Sequence, residues 1–298
     1  MMGRKIVGDA REEIGMVIML ALVVLAFFGV VVWRDSSRFV VVKYRMTSPK
    51  LLKRCRIVML SDLHNKEYGT HNGRLVEAVH AQEPDLIIVA GDMVTSDGKR
   101  TQFKEPLELL RQLALRYPVY YGTGNHEYRI KTYRAVYGDK YKGYAEALRK
   151  YGVRLLENGR VYLPEYNMEI CGLELGRAYY KRLRRRHMDG QCISRLLGKS
   201  RTDCLEALIG HNPDYFEQYA AWGADLVFAG HVHGGVVRAP ALGGVISPAA
   251  RLFPKYDGGS FEEYGSRMIL GRGLGMHTIP VRAFNPGELV VVELEPGA

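Results

Sequence analysis

Two stretches decide how this chain folds: IVMLSDLH (57–64) and LIIVAGDM (86–93). Each is an apolar run that stops at a polar block. Such a run, bounded by turn residues, reads as a strand buried on both faces, as in parallel sheets. Working outward, similar runs predict strands over Arg56–Ser61, Leu86–Ala90, Val119–Gly122, Met168–Gly172, Leu205–Gly210 and Leu226–Ala229, then over Arg267–Leu270 and Leu289–Leu294. Helical periodicity separates several of them. Leu75, Val76 and Val79 mark one face over Asn72–Gln82, and Leu107, Leu110, Leu113 and Ala114 mark another over Gln102–Arg116. Ala145, Leu148 and Tyr151 support a helix over Gly143–Tyr151, and a fourth is expected over Asn212–Trp222. The first half therefore alternates strand and helix, while the second is strand-rich with Gly and Pro punctuation. An α/β fold with two facing sheets and helices outside is the simplest packing.

The polar blocks carry the chemistry. They are S-D-L-H (61–64), A-G-D-M (90–93), G-N-H-E (124–127), G-H-N (210–212) and G-H-V-H-G (230–234). Four of the five follow an apolar run. Carboxylate, imidazole and amide groups at neighbouring strand ends can converge on one point, and this donor mix suits hard-to-borderline divalent cations. Asp62 and His64 are two apart, as are His231 and His233; on extended chain such positions face the same side. Asp92 follows Gly91, and its two oxygens allow it to bridge two cations. Asn125 offers a neutral amide oxygen, and His211 ends another strand. The candidate metal ligands are thus Asp62, His64, Asp92, Asn125, His211, His231 and His233. A lone D-x-H or G-N-H arises by chance in many chains; five such blocks at strand ends do not.

Charge counting supports a phosphate substrate. Two divalent cations bring four positive charges, Asp62 and Asp92 return two negative ones, and a bridging hydroxide leaves about one positive charge to attract a phosphoryl group. Mn²⁺ fits this ligation, with Fe or Zn²⁺ as alternatives. His126, beside Asn125, is free to protonate a leaving oxygen or to bind a phosphate oxygen, with Glu127 orienting it. Asp92 and His126 are the candidate catalytic pair. His71, His80 and His187 read as structural or surface residues, and His277, after G-R-G-L-G-M, is a secondary candidate.

The rest of the composition bounds the partners. With 42 Lys+Arg against 32 Asp+Glu, the formal charge of +10 favours anionic partners. Four cysteines without C-x-x-C spacing argue against structural zinc on sulfur. Ile14 to Trp33 is an uncharged run of 20 residues, IGMVIMLALVVLAFFGVVVW. At 1.5 Å per residue it spans the ~30 Å hydrocarbon core, so a single-pass membrane anchor is expected. It is longer than a signal-peptide core and lacks a small-residue cleavage pair. The basic residues on either side, Arg4, Lys5 and Arg11 before and Arg34, Arg38, Lys43, Arg45 and Lys50 after, leave the side of the catalytic domain open. The expected organisation is a tail (1–13), an anchor (14–33), a connector (34–50) with a strand near Phe39–Tyr44, and a catalytic domain (51–298). The basic stretch RAYYKRLRRRH (177–187) is either a solvated face or a contact with acidic lipid, with Tyr179 and Tyr180 at the bilayer interface. Its aromatics are not spaced as a stacking platform, which argues against nucleic acid.

The blocks D-L-H, G-D, G-N-H-E, G-H and G-H-V-H together resemble the calcineurin-like metallophosphoesterase superfamily, over roughly residues 55–295. The run GHVHGGVVRAP (230–240), S-P (247–248) and G-R-G-L-G (271–275) look like the membrane-associated branch typified by the YkuE and YaeI phosphodiesterases. The resemblance implies a four-layer αββα sandwich. It implies that Asp62, His64, Asp92 and His233 hold one metal and Asp92, Asn125, His211 and His231 the other, with His126 near the leaving group. Val236 stands where the branch often has Gln, and P-G-E (286–288) replaces a P-E pair. The expected function is a membrane-anchored dinuclear-metal phosphodiesterase or pyrophosphatase acting on a phosphorylated small molecule or lipid. A UDP-2,3-diacylglucosamine pyrophosphatase of lipid A synthesis is the alternative within enzymes. A non-catalytic, metal-bearing membrane adaptor is the alternative outside them, and ligand completeness argues against it.

Overall fold

The computed structural model describes residues 2–181, 186–235, 237–239, 243–246, 254–276 and 281–297. His277, Val236 and the S-P pair at 247–248 lie outside the described residues, as do positions 182–185 of the basic stretch. In chain order the strands are β1 (Phe39–Ser48), β2 (Cys55–Leu60), β3 (Leu86–Ala90), β4 (Val119–Gly122), β5 (Arg154–Leu156), β6 (Gly159–Leu163), β7 (Met168–Gly172), β8 (Leu205–Ile209), β9 (Leu226–Ala229), β10 (Val237–Ala239), β11 (Gly243–Ile246), β12 (Gly259–Glu263), β13 (Ser266–Leu270) and β14 (Gly287–Pro296). The helices are α1 (Met2–Ser37), α2 (Gly73–His80), α3 (Lys104–Ala114), α4 (Asn125–Thr132), α5 (Arg134–Tyr137), α6 (Lys140–Lys150), α7 (Cys192–Leu197) and α8 (Phe216–Trp222).

Two six-stranded sheets result, ordered β1-β14-β2-β3-β4-β5 and β12-β13-β9-β8-β7-β6. In the first, β2, β3, β4 and β5 run parallel, which requires crossovers; α2 and α3 supply the first two. In the second, β7, β8, β9 and β13 are parallel, with antiparallel β6 and β12 at the edges. Every residue of β3 is buried, as its all-apolar sequence requires.

Strand alternation divides the core in three. Val58, Leu60, Ile87 and Val89 face outward from the first sheet onto Leu75, Val79, Leu109 and Leu148 of the helices. Ile57, Met59 and Ile88 face the opposite way and meet Ile170, Ala207, Ile209 and Phe228 between the sheets. Leu208, Val227 and Met268 leave the far face of the second sheet toward Ile193, Phe216 and Tyr219. Helix, sheet, sheet, helix is the four-layer sandwich expected.

Two segments differ from the reading of the sequence. The stretch 34–50, taken as a connector with a strand near Phe39–Tyr44, contains the last turn of α1 and then a longer strand, β1, which pairs parallel with β14 from Phe39 beside Gly287 to Ser48 beside Pro296. Positions 2–13, taken as a tail, continue α1. Within α1, Ile14–Ser37 is 24 residues long and contains an 18-residue stretch of mean hydropathy 3.0, long and apolar enough to cross a membrane. Its side chains from Ile14 to Leu25 lie outside the core.

Candidate metal centre

All five polar blocks stand at C-terminal strand ends: Asp62 after β2, Asp92 after β3, Asn125 after β4, His211 after β8 and His231 after β9. Because β2, β3 and β4 are neighbours in one sheet and β8 and β9 in the other, the loops meet at a single edge of the sandwich. The loops are zipped together by backbone: Asp62 N–H donates to Gly91 O at 2.9 Å, His64 N–H to Asp92 O at 3.2 Å and Gly230 N–H to His211 O at 3.0 Å.

The pairing of Asp62 with His64, and of His231 with His233, does not come from extended chain. Asp62 (φ 51°), His64 (49°), Asp92 (53°), His231 (74°) and His233 (53°) are all left-handed. Each such residue costs roughly 1 kcal/mol or more, and strain of this kind gathers where function demands a particular aim. The tight backbone turns, not a pleat, point these side chains inward. Gly124 makes room for one of them: a Cβ there would sit 2.3 Å from Asp92 Oδ1.

Three overlapping groups of donor atoms form within 4.8 Å: Asp62, His64 and His233; His64, Asp92 and His126; Asp92, His211 and His231. His64 Nε2 faces His233 Nε2 at 3.1 Å, His211 Nε2 lies 3.1 Å from Asp92 Oδ2, and His233 Nε2 lies 3.5 Å from Asp62 Oδ1. Asp62, Asp92 and His211 are at most 1% exposed. Asn125 opens α4 between Gly124 and His126, both in contact with Asp92. Asp62 Oδ2 and Asn125 Oδ1 are buried with no hydrogen-bond partner.

The surroundings fix the aim of several candidate ligands. His211 Nδ1 donates to Ala90 O at 2.6 Å, turning Nε2 into the site. Asp62 Oδ1 accepts His231 N–H at 2.9 Å, and Asp92 Oδ1 accepts His126 N–H at 2.8 Å. Asn285 donates through Nδ2 to His233 O at 2.7 Å and Gly235 O at 2.9 Å. In the metal-free protein, burial pushes the Asp62 carboxyl up to about 6. Burial also opposes the charge on Asp92, but His211 and His126 outweigh it and hold that carboxyl well below its usual range. Burial opposes charge on His211 too; Asp92 and Asp62 outweigh it and raise the imidazole to about 10. Burial lowers His126.

Glu127 has a different task from the one expected. Rather than orienting His126, its carboxylate accepts the backbone N–H groups of Asp92 (2.9 Å), Met93 (2.9 Å) and Gly124 (3.0 Å) and the Tyr121 hydroxyl (2.6 Å). It joins the ends of β3 and β4. His126 is instead oriented by Ser96, whose N–H and Oγ both lie 2.9 Å from Nδ1. Tyr180, expected at a bilayer interface, packs its ring 5.2 Å from His231 and 6.1 Å from His211, while Tyr179 packs edge-on against Tyr215. Both rings thus pack against protein side chains. His80 Nδ1 lies 3.0 Å from the Tyr117 hydroxyl, consistent with a structural role. A further acidic cluster, Glu169 and Glu206 with Cys171, is closed by Arg160, which pairs with both carboxylates.

The donor chemistry and the loop positions can be compared with known proteins. A family model described as calcineurin-like phosphoesterase matches residues 55–235. An uncharacterized metallophosphoesterase of Campylobacter jejuni is 26% identical over 83% of this chain and 61% of its own length. A zebrafish transmembrane protein with metallophosphoesterase domain is 29% identical over 76% of this chain and 51% of its own. The phosphodiesterase YaeI of Escherichia coli is 27% identical over 74% and 75%. The chain thus spans about half to three-fifths of the first two relatives. The matched stretch contains all five polar loops, and the chain belongs to the calcineurin-like phosphoesterase family.

Proposed function

We propose that this protein is a membrane-anchored, two-metal phosphoester hydrolase, a phosphodiesterase or pyrophosphatase whose substrate is phosphorylated and lipid- or nucleotide-linked. One observation carries the reading: Asp62 Oδ2, grouped with His64 and His233, and Asn125 Oδ1, next in the chain to His126 whose N–H binds Asp92, are buried without partners. A buried polar atom left unpaired costs about 1–3 kcal/mol, and a pair of cations would compensate one oxygen each. Asp62, His64, His233 and Asp92 would hold one ion, and Asp92, Asn125, His211 and His231 the other. When bound, the ions supply hydroxide at neutral pH and offset the charge of the phosphoryl group. Mn²⁺ suits these nitrogen and oxygen donors, as do Fe and Zn²⁺. The apolar stretch Ile14–Ser37 and the zebrafish relative's description support the anchor.

His126 acts on the substrate as a hydrogen-bond donor. Its Nδ1 accepts the Ser96 N–H, so the neutral ring carries its proton on Nε2. Burial and that N–H both disfavour the imidazolium, so the ring binds a phosphoryl oxygen rather than protonating the leaving group. The test is hydrolysis of bis(p-nitrophenyl) phosphate by the full chain in neutral detergent. We expect turnover with Mn²⁺, loss with chelator, and loss in Asp92→Ala. No turnover with Mn²⁺, Fe or Zn²⁺, or equal rates in wild type and Asp92→Ala, would sink the proposal.

A further inference from the structure

A cavity of about 680 Å³ lies where the end of α1 meets the loop before β14. Its lining is divided by chemistry. Arg34, Arg38, Arg238 and Arg272 line it with guanidinium groups. Phe27, Val31 and Phe284 give it an apolar wall. Arg38 pairs with Asp35 at 3.0 Å, Arg238 with Asp257 at 3.1 Å and Arg272 with Glu288 at 3.3 Å. Arg34 has no acidic partner among the described residues, so the four arginines outnumber these carboxylates by one.

The two kinds of wall are ordered along α1. Arg34 is the first charge after the apolar run, the position of a headgroup-level anchor. Phe27 lies seven residues earlier, about 10 Å deeper along the helix axis. Phe284 meets Phe27 and Phe28 at ring distances of 6.5 and 6.1 Å. It does so from a left-handed backbone (φ 55°), an unusual state for a bulky residue, held where the ring closes the apolar wall. Positive charge above and aromatic surface below match an ionised head joined to hydrocarbon.

We propose that this cavity binds the phosphate headgroup of an anionic membrane lipid, its acyl chain lying along Phe27, Val31 and Phe284. The inference rests on reading α1 as a membrane span. The bound lipid lies against the loop that carries His233: Arg238 donates to Gly234 O at 3.3 Å, and Asn285 links Asp35 (2.9 Å) to the His233 carbonyl (2.7 Å).

The test uses the full chain. Alkaline-carbonate flotation with phosphatidylcholine vesicles comes first; release of the protein from the vesicles refutes the anchor and this site with it. Native mass spectrometry in neutral detergent, with equimolar phosphatidylglycerol and phosphatidylcholine, then reads headgroup selectivity. We expect about a tenfold preference for phosphatidylglycerol. Arg34→Gln, which breaks no ion pair among the described residues, should lower it about fivefold, and Arg34→Lys should keep it. Equal binding of the two lipids by a firmly embedded wild-type chain overturns this site while leaving the anchor intact. So does an unchanged preference in Arg34→Gln. Displacement of the lipid by millimolar inorganic phosphate at constant ionic strength also overturns it, because it would mark a site for free anion.

Discussion

Replacing Glu127 by Gln keeps the shape of the side chain and removes one acceptor atom from the scaffold beneath Asp92. Oε2 accepts Asp92 N–H at 2.9 Å and Gly124 N–H at 3.0 Å, and Oε1 accepts Met93 N–H at 2.9 Å and the Tyr121 hydroxyl at 2.6 Å. An amide has one oxygen for these four donors. With its nitrogen on the Oε1 side, the Tyr121 hydroxyl can reverse and donate to the Tyr144 hydroxyl 3.1 Å away. The Met93 N–H then faces another N–H in a fully buried place. That orphan costs about 1–3 kcal/mol, and two bonds demoted from a charged to a neutral acceptor lose roughly 0.5–1 kcal/mol each. Burial, then Asp92, push the Glu127 carboxyl up to about 7, so the amide is relieved of part of a desolvation cost. The net loss is about 2–3 kcal/mol of stability, with metal affinity down about 10–100-fold through the displaced Asp92 loop. Thermal unfolding of the full chain in neutral detergent, with and without chelator, measures the first. Manganese titration measures the second. Tyr121→Phe removes one donor to Glu127 and the partner of the buried Tyr144 hydroxyl, and should cost about 1–2 kcal/mol. A Glu127→Gln protein within about 0.5 kcal/mol of wild type, with unchanged manganese affinity, would refute the account.

Three more outcomes follow from the site. His126→Ala should lower kcat/KM about 100-fold, by equal factors for diesters with good and poor leaving groups, and Gln in its place should restore part of the loss; a larger loss on poor leaving groups would mean that His126 protonates them. Gly124→Ala should cut manganese occupancy and activity at least about tenfold, since its Cβ would sit 2.3 Å from Asp92 Oδ1, and wild-type occupancy would contradict that. Burial opposes the charge on His211 but Asp92 outweighs it, so the folded pKa of about 10 stands above the ordinary 6.5. The stabilisation is complete below pH 6.5 and is lost as pH rises through 10, so metal-free protein should melt progressively lower over that window. Mn²⁺ replaces the His211 proton, so its stabilising shift should be larger near about pH 9 than near about pH 6.5, and the reverse order would count against His211 as a ligand.

The strands beside the site were legible because burial on both faces leaves no room for polar residues: β3, β4, β7 and β9 fall where the apolar runs do. The loop residues were legible by type. How they converge was not, because i, i+2 spacing on a strand and a left-handed turn both bring Asp62 beside His64, and only the backbone tells them apart. α4 escaped notice for a related reason. Its sequence NHEYRIKT has no apolar stripe, and its inward face is spent on Glu127 and Ile130. The task of Glu127 was hidden with it, since three of its four donors are backbone groups that any residue could supply. Short edge strands such as β5, β6 and β12 carry mixed or exposed patterns that resemble loops.

α1 ends at Ser37 and β1 begins at Phe39, so a single residue stands between a 36-residue helix and the edge of a sheet. That joint has no slack. Were α1 embedded as proposed, so short a joint would pass an inclination of the helix on to the sandwich. A domain on a long tether samples a volume; on the proposed anchor, this one would be held near a single height above the bilayer. A glycine-serine insertion at Arg38 would turn that height into a distribution and separate reach from catalysis.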